Sequence, residues 1–325
     1  MSTPKLLVTV SVDPDQRTVI ESAVPDSVAV TFLADVEDRT TAITAADALL
    51  VRLPHQELTD EELGRLGPGQ VMQAVSSGVD HLPLDRLPAG VVLQNNAGAQ
   101  AEPIAEHVLA LYLALCKRLR IEHLKLQQGE FDQRRPNRRV DGTTCTVFGF
   151  GGIGRASARL LQTVGVSILA INRSGETSAS TEFVGTPDDL ETALGRSDGL
   201  VIAAPLTPET RGVIDRETLE WLPDDGILIN IARGELVVQD DLYDHLQAHP
   251  EFQAGIDAWW KEPVRHGEFA IDHPFLDLPN VIGSPHNSAQ QPDIAEHSLR
   301  AAANRVGTTL VTGERTNVVD RELGY

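Results

Sequence analysis

The chain has 325 residues, 41% of them hydrophobic and 4% aromatic, with 27 Lys and Arg against 47 Asp and Glu and a formal net charge of −20. That length exceeds one ordinary core and predicts two domains, and the acidic balance excludes nucleic acid and an anionic membrane as partners, because phosphate binding takes clustered cations. Lysine occurs only at Lys5, Lys117, Lys125 and Lys261, so the surface suggests a halophilic, salt-rich cytoplasm in which self-repulsion is screened within about 3 Å.

The N-terminus lacks a basic segment followed by an apolar one, and the most apolar stretch, 108–116, is too short to span a bilayer. A soluble cytoplasmic protein is expected, and its end at Tyr325 leaves no room for an appended regulatory domain. Cys116 and Cys145 fall in apolar patterns and read as buried thiols, with no disulfide framework and no metal site.

Apolar or β-branched runs at 6–12, 28–33, 48–52, 71–75 and 91–94 alternate with polar helical stretches, which predicts one parallel sheet. From 101 to 120 the spacing of Ile104, Val108, Leu111 and Leu115 after Pro103 predicts a single helix linking two domains. Arg134 to Arg139 forms a local basic run that reads as a loop. It has no aromatic residues to stack on bases, so nucleic-acid binding is not expected of it.

A second series of strands is predicted at 144–148, 167–171, 199–203, 226–231, 252–256 and 280–282. Directly after its first strand comes G-F-G-G-I-G, comprising Gly149, Phe150, Gly151, Gly152, Ile153 and Gly154, followed by a helical pattern over 155–163. In that context Gly149 permits a tight turn, Gly151 lets backbone approach a pyrophosphate, and Gly154 lets helix and strand pack closely. The helix N-terminus then faces the phosphates of a dinucleotide.

At the end of the next strand an NAD-specific site would place a carboxylate on the ribose hydroxyls, but the chain has Asn172, Arg173 and Ser174. Arg173 offers a planar donor fork to a 2′-phosphate and Ser174 a hydroxyl, so NADP(H) is favoured over NAD(H). After Pro285 the pattern of Ile294, Leu299, Ala302, Val306 and Leu310 is helical again and is expected to pack back on the first sheet. The expected fold is α/β, with two Rossmann-like or flavodoxin-like parallel-sheet domains and a deep cleft between them. A discontinuous substrate domain would take 1–99 and 288–325, and a dinucleotide domain 100–287.

Arg233, Glu262 and His286 each stand just past an apolar run, where such sheets deliver catalytic side chains. Together they comprise a permanent cation for a carboxylate, a group titrating near neutrality, and an anion to stabilise imidazolium. With a dinucleotide, that set points to hydride transfer.

These residues lie in ordered motifs: S-S-G-V-D at 76–80, A-E-H at 105–107, G-F-G-G-I-G, A-P-L-T-P-E-T at 204–210, I-N-I-A-R-G at 229–234, G-I-D-A-W-W-K-E-P at 255–263 and S-P-H at 284–286. Nearly end to end, the chain resembles the D-isomer-specific 2-hydroxyacid dehydrogenases, including glyoxylate/hydroxypyruvate reductases. The resemblance implies that Arg233 grips the carboxylate and carbonyl of a small 2-oxo acid, that Glu262 holds His286, and that His286 is the acid/base. It further implies substrate contacts from backbone at Ser77, Gly78 and Val79, and cofactor contacts near Ala204, Pro205, Thr210, Ile231, Ala232 and Asp257. Asp80 and His107 are expected to be structural, Asp198 to fix a loop, and the segment from Pro103 to form the arm of a homodimer.

Where relatives carry Val-Phe, this chain has Ala258-Trp259-Trp260, so one tryptophan is expected either along the cleft or at a dimer surface. Formate dehydrogenases share the fold but carry Gln at the position of Glu262, which disfavours that activity. Two other readings are a dinucleotide-sensing, corepressor-like binding protein and a phosphoglycerate dehydrogenase. The last needs a further cation, for which Arg52 is a candidate.

Overall fold

The computed structural model describes residues 3–79, 82, 84–322 and 324–325. The chain divides into two compact units, Met1–Gln100 with Gln291–Tyr325, and Ala101–Gln290.

In the first unit β1 (Lys5–Val8), β2 (Ala29–Phe32), β3 (Ala48–Val51), β4 (Val71–Ala74) and β5 (Val92–Gln94) form a parallel sheet in the order β2-β1-β3-β4-β5. β3 and β4 are buried at every position, as strands covered on both faces must be. One face packs Leu6, Val8 and Leu50 against Ile20 and against Leu299, Ala302 and Val306 of the helix Ile294–Thr312. The C-terminal helix thus returns to the first sheet, and Gly313, at φ 76°, ends it in the left-handed region. Leu7, Leu49 and Val51 pack with Ile43 and Leu63 on the other face.

The second unit holds β6 (Thr144–Phe148), β7 (Ser167–Ile171), β8 (Phe183–Gly185), β9 (Gly199–Ile202), β10 (Ile227–Asn230), β11 (Gln253–Ile256) and β12 (Val281–Gly283). They form a parallel sheet in the order β12-β11-β10-β9-β6-β7-β8. The chain winds outward from β6 in one direction and from β9 in the other, so the crevice beyond these two strands is the topological switch point where such sheets bind ligands. Ile104, Val108, Leu111 and Leu115 of the helix Ala101–Cys116 pack on Cys145, Val147, Ile227 and Ile229. Both cysteines are free and buried, and burial pushes the Cys116 thiol up to about 11.

Two local expectations are corrected. The helix predicted over 101–120 breaks after Cys116, and a second helix, Leu119–Gln127, follows. The break falls at Arg118, at φ 53° and 8% exposed, whose guanidinium lies 2.5 Å from Glu251 and 3.5 Å from Glu122. A left-handed non-glycine residue costs about 1–2 kcal/mol, and the buried Arg118 side chain meets these two carboxylates at the break. The edge strand β8 was not expected, because only Phe183 and Val184 in its surroundings are large and apolar. Trp259 is buried in the core around Phe275 and Trp260 packs half-buried against it, with their indole N–H groups donated to Ser284 O and Val237 O.

The basic run forms a loop, and three of its four arginines are met by carboxylates. Arg135 pairs with Glu251, Arg138 with Asp225, and Arg139 with Asp141. No helix among the described residues is long and apolar enough to cross a membrane.

Candidate active site

The glycine-rich turn leaves β6 at the switch point. Gly149 sits at φ 95°, donates its N–H to Ile171 O at 2.9 Å, and a Cβ there would overlap the backbone of Ala203 and Ala204. The loops following β6 and β9 therefore touch through a position only glycine can occupy. Gly151 caps the helix Gly152–Thr163, and a Cβ built on it meets nothing within 4 Å. Open space at that backbone, beside the N-terminus of the helix, fits the pyrophosphate of a dinucleotide. The helix begins at Gly152, three residues before the sequence pattern suggested, because its glycine-rich first turn carries no periodicity.

Thr210 donates its hydroxyl to Pro205 O at 2.7 Å and accepts the Thr207 N–H at 2.8 Å, which shapes the loop after β9. After β7, Asn172 is occupied by its own turn. Its Oδ1 accepts the Gly175 N–H and the Ser174 hydroxyl, and its Nδ2 donates to Glu176 O. Asn172 and Ser174 therefore build the loop together, and Arg173 and Ser174 are exposed on it.

The loops after β10, β11 and β12, neighbours in the sheet, carry the other candidates. Asn230, 2% exposed, accepts the Ala232 N–H and donates to Arg233 O, so the chain turns sharply at Ile231 and Ala232 and projects Arg233. Gly234 lies against the backbone of Trp259 and Trp260, where a side chain would overlap. This close approach brings the Arg233 loop onto the loop of Glu262.

Glu262 is 7% exposed, and both of its carboxylate oxygens lie 2.8 Å from His286 Nδ1. Its Oε1 also accepts the Trp259 N–H at 2.7 Å, and its own N–H is donated to His266 Nδ1. Burial opposes the charged form of Glu262, yet the bonds from His286 and the Trp259 amide, with the nearby charges of His286 and Arg233, hold its carboxyl below the usual range. A carboxylate only accepts, so His286 Nδ1 carries hydrogen and Nε2 is left for a ligand. The His286 side chain remains 34% exposed.

His286 has φ 51°, in the left-handed region, where a non-glycine residue is strained. Asp257 holds the segment in that shape. Its carboxylate, 0% exposed, accepts the N–H groups of Asn287 and Ser288 at 3.1 Å and the Ser284 hydroxyl at 2.5 Å. The oxygens of Asp257, expected near the cofactor, are bonded by its own chain. His107 Nε2 lies 3.0 Å from Ser284 Oγ, and Asp198 accepts the Thr144 N–H at 2.8 Å.

In the first unit, Ser77, Gly78 and Val79 follow β4. Ser77 donates its hydroxyl to Asn96 O at 3.0 Å, and Val79 is 2% exposed. Asp80 lies outside the described residues. Sequence reasoning missed Asn230, Ser284 and His266. The first two stand inside the quoted motifs, but which neighbours their side chains bond emerges only when strands far apart in the chain pair.

Residues 109–288 match the family model described as D-isomer specific 2-hydroxyacid dehydrogenase, NAD binding domain. The chain is 30% identical to a glyoxylate reductase/hydroxypyruvate reductase of Mus musculus over 88% of its own length and 87% of that protein's. It is 27% identical to a D-3-phosphoglycerate dehydrogenase of Methanocaldococcus jannaschii over 97% of its length, but spans only 59% of that relative. Among solved structures, a putative formate dehydrogenase from Pyrobaculum aerophilum aligns over 98% of this chain and 99% of its own, at 26% identity and a TM-score of 0.79.

Proposed function

The chain belongs to the D-isomer specific 2-hydroxyacid dehydrogenase family, and from that premise we propose that it reduces small 2-oxo acids to D-2-hydroxy acids, with His286 as acid and base. The observation that carries this reading is the His286–Glu262 pair, 2.8 Å apart, with Arg233 close enough for its charge to act on Glu262. Arg233 supplies a permanent cation for the substrate carboxylate. Glu262 fixes the ring and its tautomer, and His286 Nε2 gives a proton to the developing alkoxide in reduction and takes it back in oxidation.

Gly149, Gly151 and the N-terminus of the helix Gly152–Thr163 would hold the dinucleotide, which when bound supplies the hydride. Phe150, Ala204, Pro205, Ile231 and Ala232, in loops after the strands, and Ile153, in the first turn of that helix, are assigned to the dinucleotide with them. Backbone at Ser77 to Val79 is assigned to the substrate carboxylate. NADP(H) is assigned as the preferred cofactor on Arg173 and Ser174. The exposed apolar residues Leu119, Leu126 and Phe131 support pairing of two copies.

The test is consumption of NADPH and NADH by the full chain at molar salt with glyoxylate, hydroxypyruvate, its 3-phospho analogue, branched 2-oxo acids and, for oxidation, formate. No turnover of any 2-oxo acid ends the reading, and turnover of the phosphorylated acid alone would favour a phosphoglycerate dehydrogenase. His286→Ala should lower kcat by about 10³-fold or more while leaving cofactor binding intact. Arg173→Ala should raise the KM for NADPH about tenfold and leave that for NADH nearly unchanged. Parallel changes for both cofactors would remove Arg173 from 2′-phosphate recognition.

A further inference from the structure

Within the second unit one hydroxyl ties together the elements that aim the imidazole. Ser284 Oγ has a single hydrogen and lies 2.5 Å from Asp257 Oδ1 and 3.0 Å from His107 Nε2. The Asp257 carboxylate, 0% exposed, accepts and does not donate when ionised, so it takes the Ser284 hydrogen. The Ser284 lone pair then requires a donor, which assigns the hydrogen of His107 to Nε2. Ser284 O accepts the indole N–H of Trp259 at 2.8 Å, and the backbone N–H of the same tryptophan is donated to Glu262 at 2.7 Å.

Ser284 is thereby joined to both members of the acid/base pair. It stands two residues before His286 in the chain, and it reaches Glu262 through Trp259. Its partner Asp257 also accepts the N–H groups of Asn287 and Ser288, the two residues that follow the left-handed backbone at His286. A left-handed histidine persists only where its surroundings over-determine it. The His107–Ser284–Asp257 chain of hydrogen bonds provides that constraint.

We propose that Ser284 is a positioning residue, which through Asp257 and His107 sets the direction of the His286 imidazole. This rests on the dehydrogenase reading above for its kinetic consequence, but not for its structural one. Without the hydroxyl, Asp257 loses its bond from Ser284 and His107 loses that acceptor, so the hold on the strained conformation of His286 is weakened. A ring misplaced by about 1 Å costs about 100-fold in rate, whereas the glycine-rich turn belongs to other strands and is untouched.

The experiment compares Ser284→Ala, Ser284→Thr, His107→Ala and the Ser284→Ala/His107→Ala double variant in the full chain. The readouts are kcat, KM, the Kd for NADPH, and the proton NMR signal of His286 Nδ1–H, identified by its loss in His286→Ala. S284A should lower kcat by about 10- to 100-fold, keep the NADPH Kd within about twofold, and broaden the Nδ1–H signal. S284T, which retains the hydroxyl, should restore both kcat and signal. The double variant should be no worse than the weaker single, because the two act as one unit.

Wild-type kcat in S284A overturns the proposal, as does a parallel loss of kcat and cofactor affinity that threonine does not restore. A wild-type chain without turnover overturns the functional reading alone. The NMR signal then decides the positioning role, and an unchanged signal in S284A rejects it. If S284A does not fold, H107A takes its place, and there wild-type kcat with an unchanged signal overturns the chain of hydrogen bonds as the device that aims the ring.

Discussion

Gly149 shows how little latitude a single residue has at this site. Its φ of 95° and the Ala204 backbone against its missing Cβ make two independent demands for glycine. Gly149→Ala should therefore destabilise the chain by about 3 kcal/mol or more, read by urea unfolding, and also weaken dinucleotide binding. A neutral substitution would mean that the loops after β6 and β9 can separate freely. This glycine was legible in the sequence because the strand before it and the helix after it frame the motif. Asp257 was legible only as part of a motif. That its carboxylate gathers Ser284, Asn287 and Ser288 depends on β11 and β12 lying side by side.

At the scale of elements, periodicity locates the strands and leaves their ends and breaks open. The helix expected to continue through Arg118 stops there, where the guanidinium meets Glu251, more than a hundred positions away in the chain. A comparable distant contact stabilises the short helix Asp60–Gly64. Glu62 closes a capping box with Thr59 and pairs with Arg39 at 2.7 Å. The Arg39 guanidinium bonded to Glu62, helped by the Thr59 amide against the cost of burial, holds this carboxyl down to about 2 from its usual 4.5. A depressed carboxylate stabilises the fold fully above its usual value, and the contribution drains away as pH falls toward the folded value. Acidification from 4.5 to about 2 should thus lower the unfolding free energy. Glu62→Gln should cost about 2 kcal/mol at neutral pH and flatten that slope. Urea titrations at a series of pH values check it, and an identical slope in the variant would show that other carboxylates dominate.

Charge governs the behaviour of the whole molecule. Many of the arginines are already paired with carboxylates, as Arg17 is with Asp35 and Arg216 with Asp241 and Asp244. The net charge of −20 is what remains. Such self-repulsion falls as the screening length shrinks from about 10 Å at 0.1 M salt to about 3 Å at 1 M. Raising potassium chloride over that range should lift the thermal midpoint by about 5 °C or more. A midpoint indifferent to salt would remove the salt-rich cytoplasm from the account of this surface.

Legible in the amino-acid order alone were an α/β chain with two parallel sheets, a glycine-rich turn linking a strand to a helix in the second, and an arginine, a glutamate and a histidine after apolar strands. These follow from local periodicity and from backbone demands that a few neighbouring residues express. It takes the folded chain to show that β10, β11 and β12 are neighbours, that Glu262 meets His286 through both oxygens, that His286 is held left-handed, and that Trp259 is buried in the core. Those features are pairings between residues distant in the chain. Their energies exist only once the strands between them have been laid down in order.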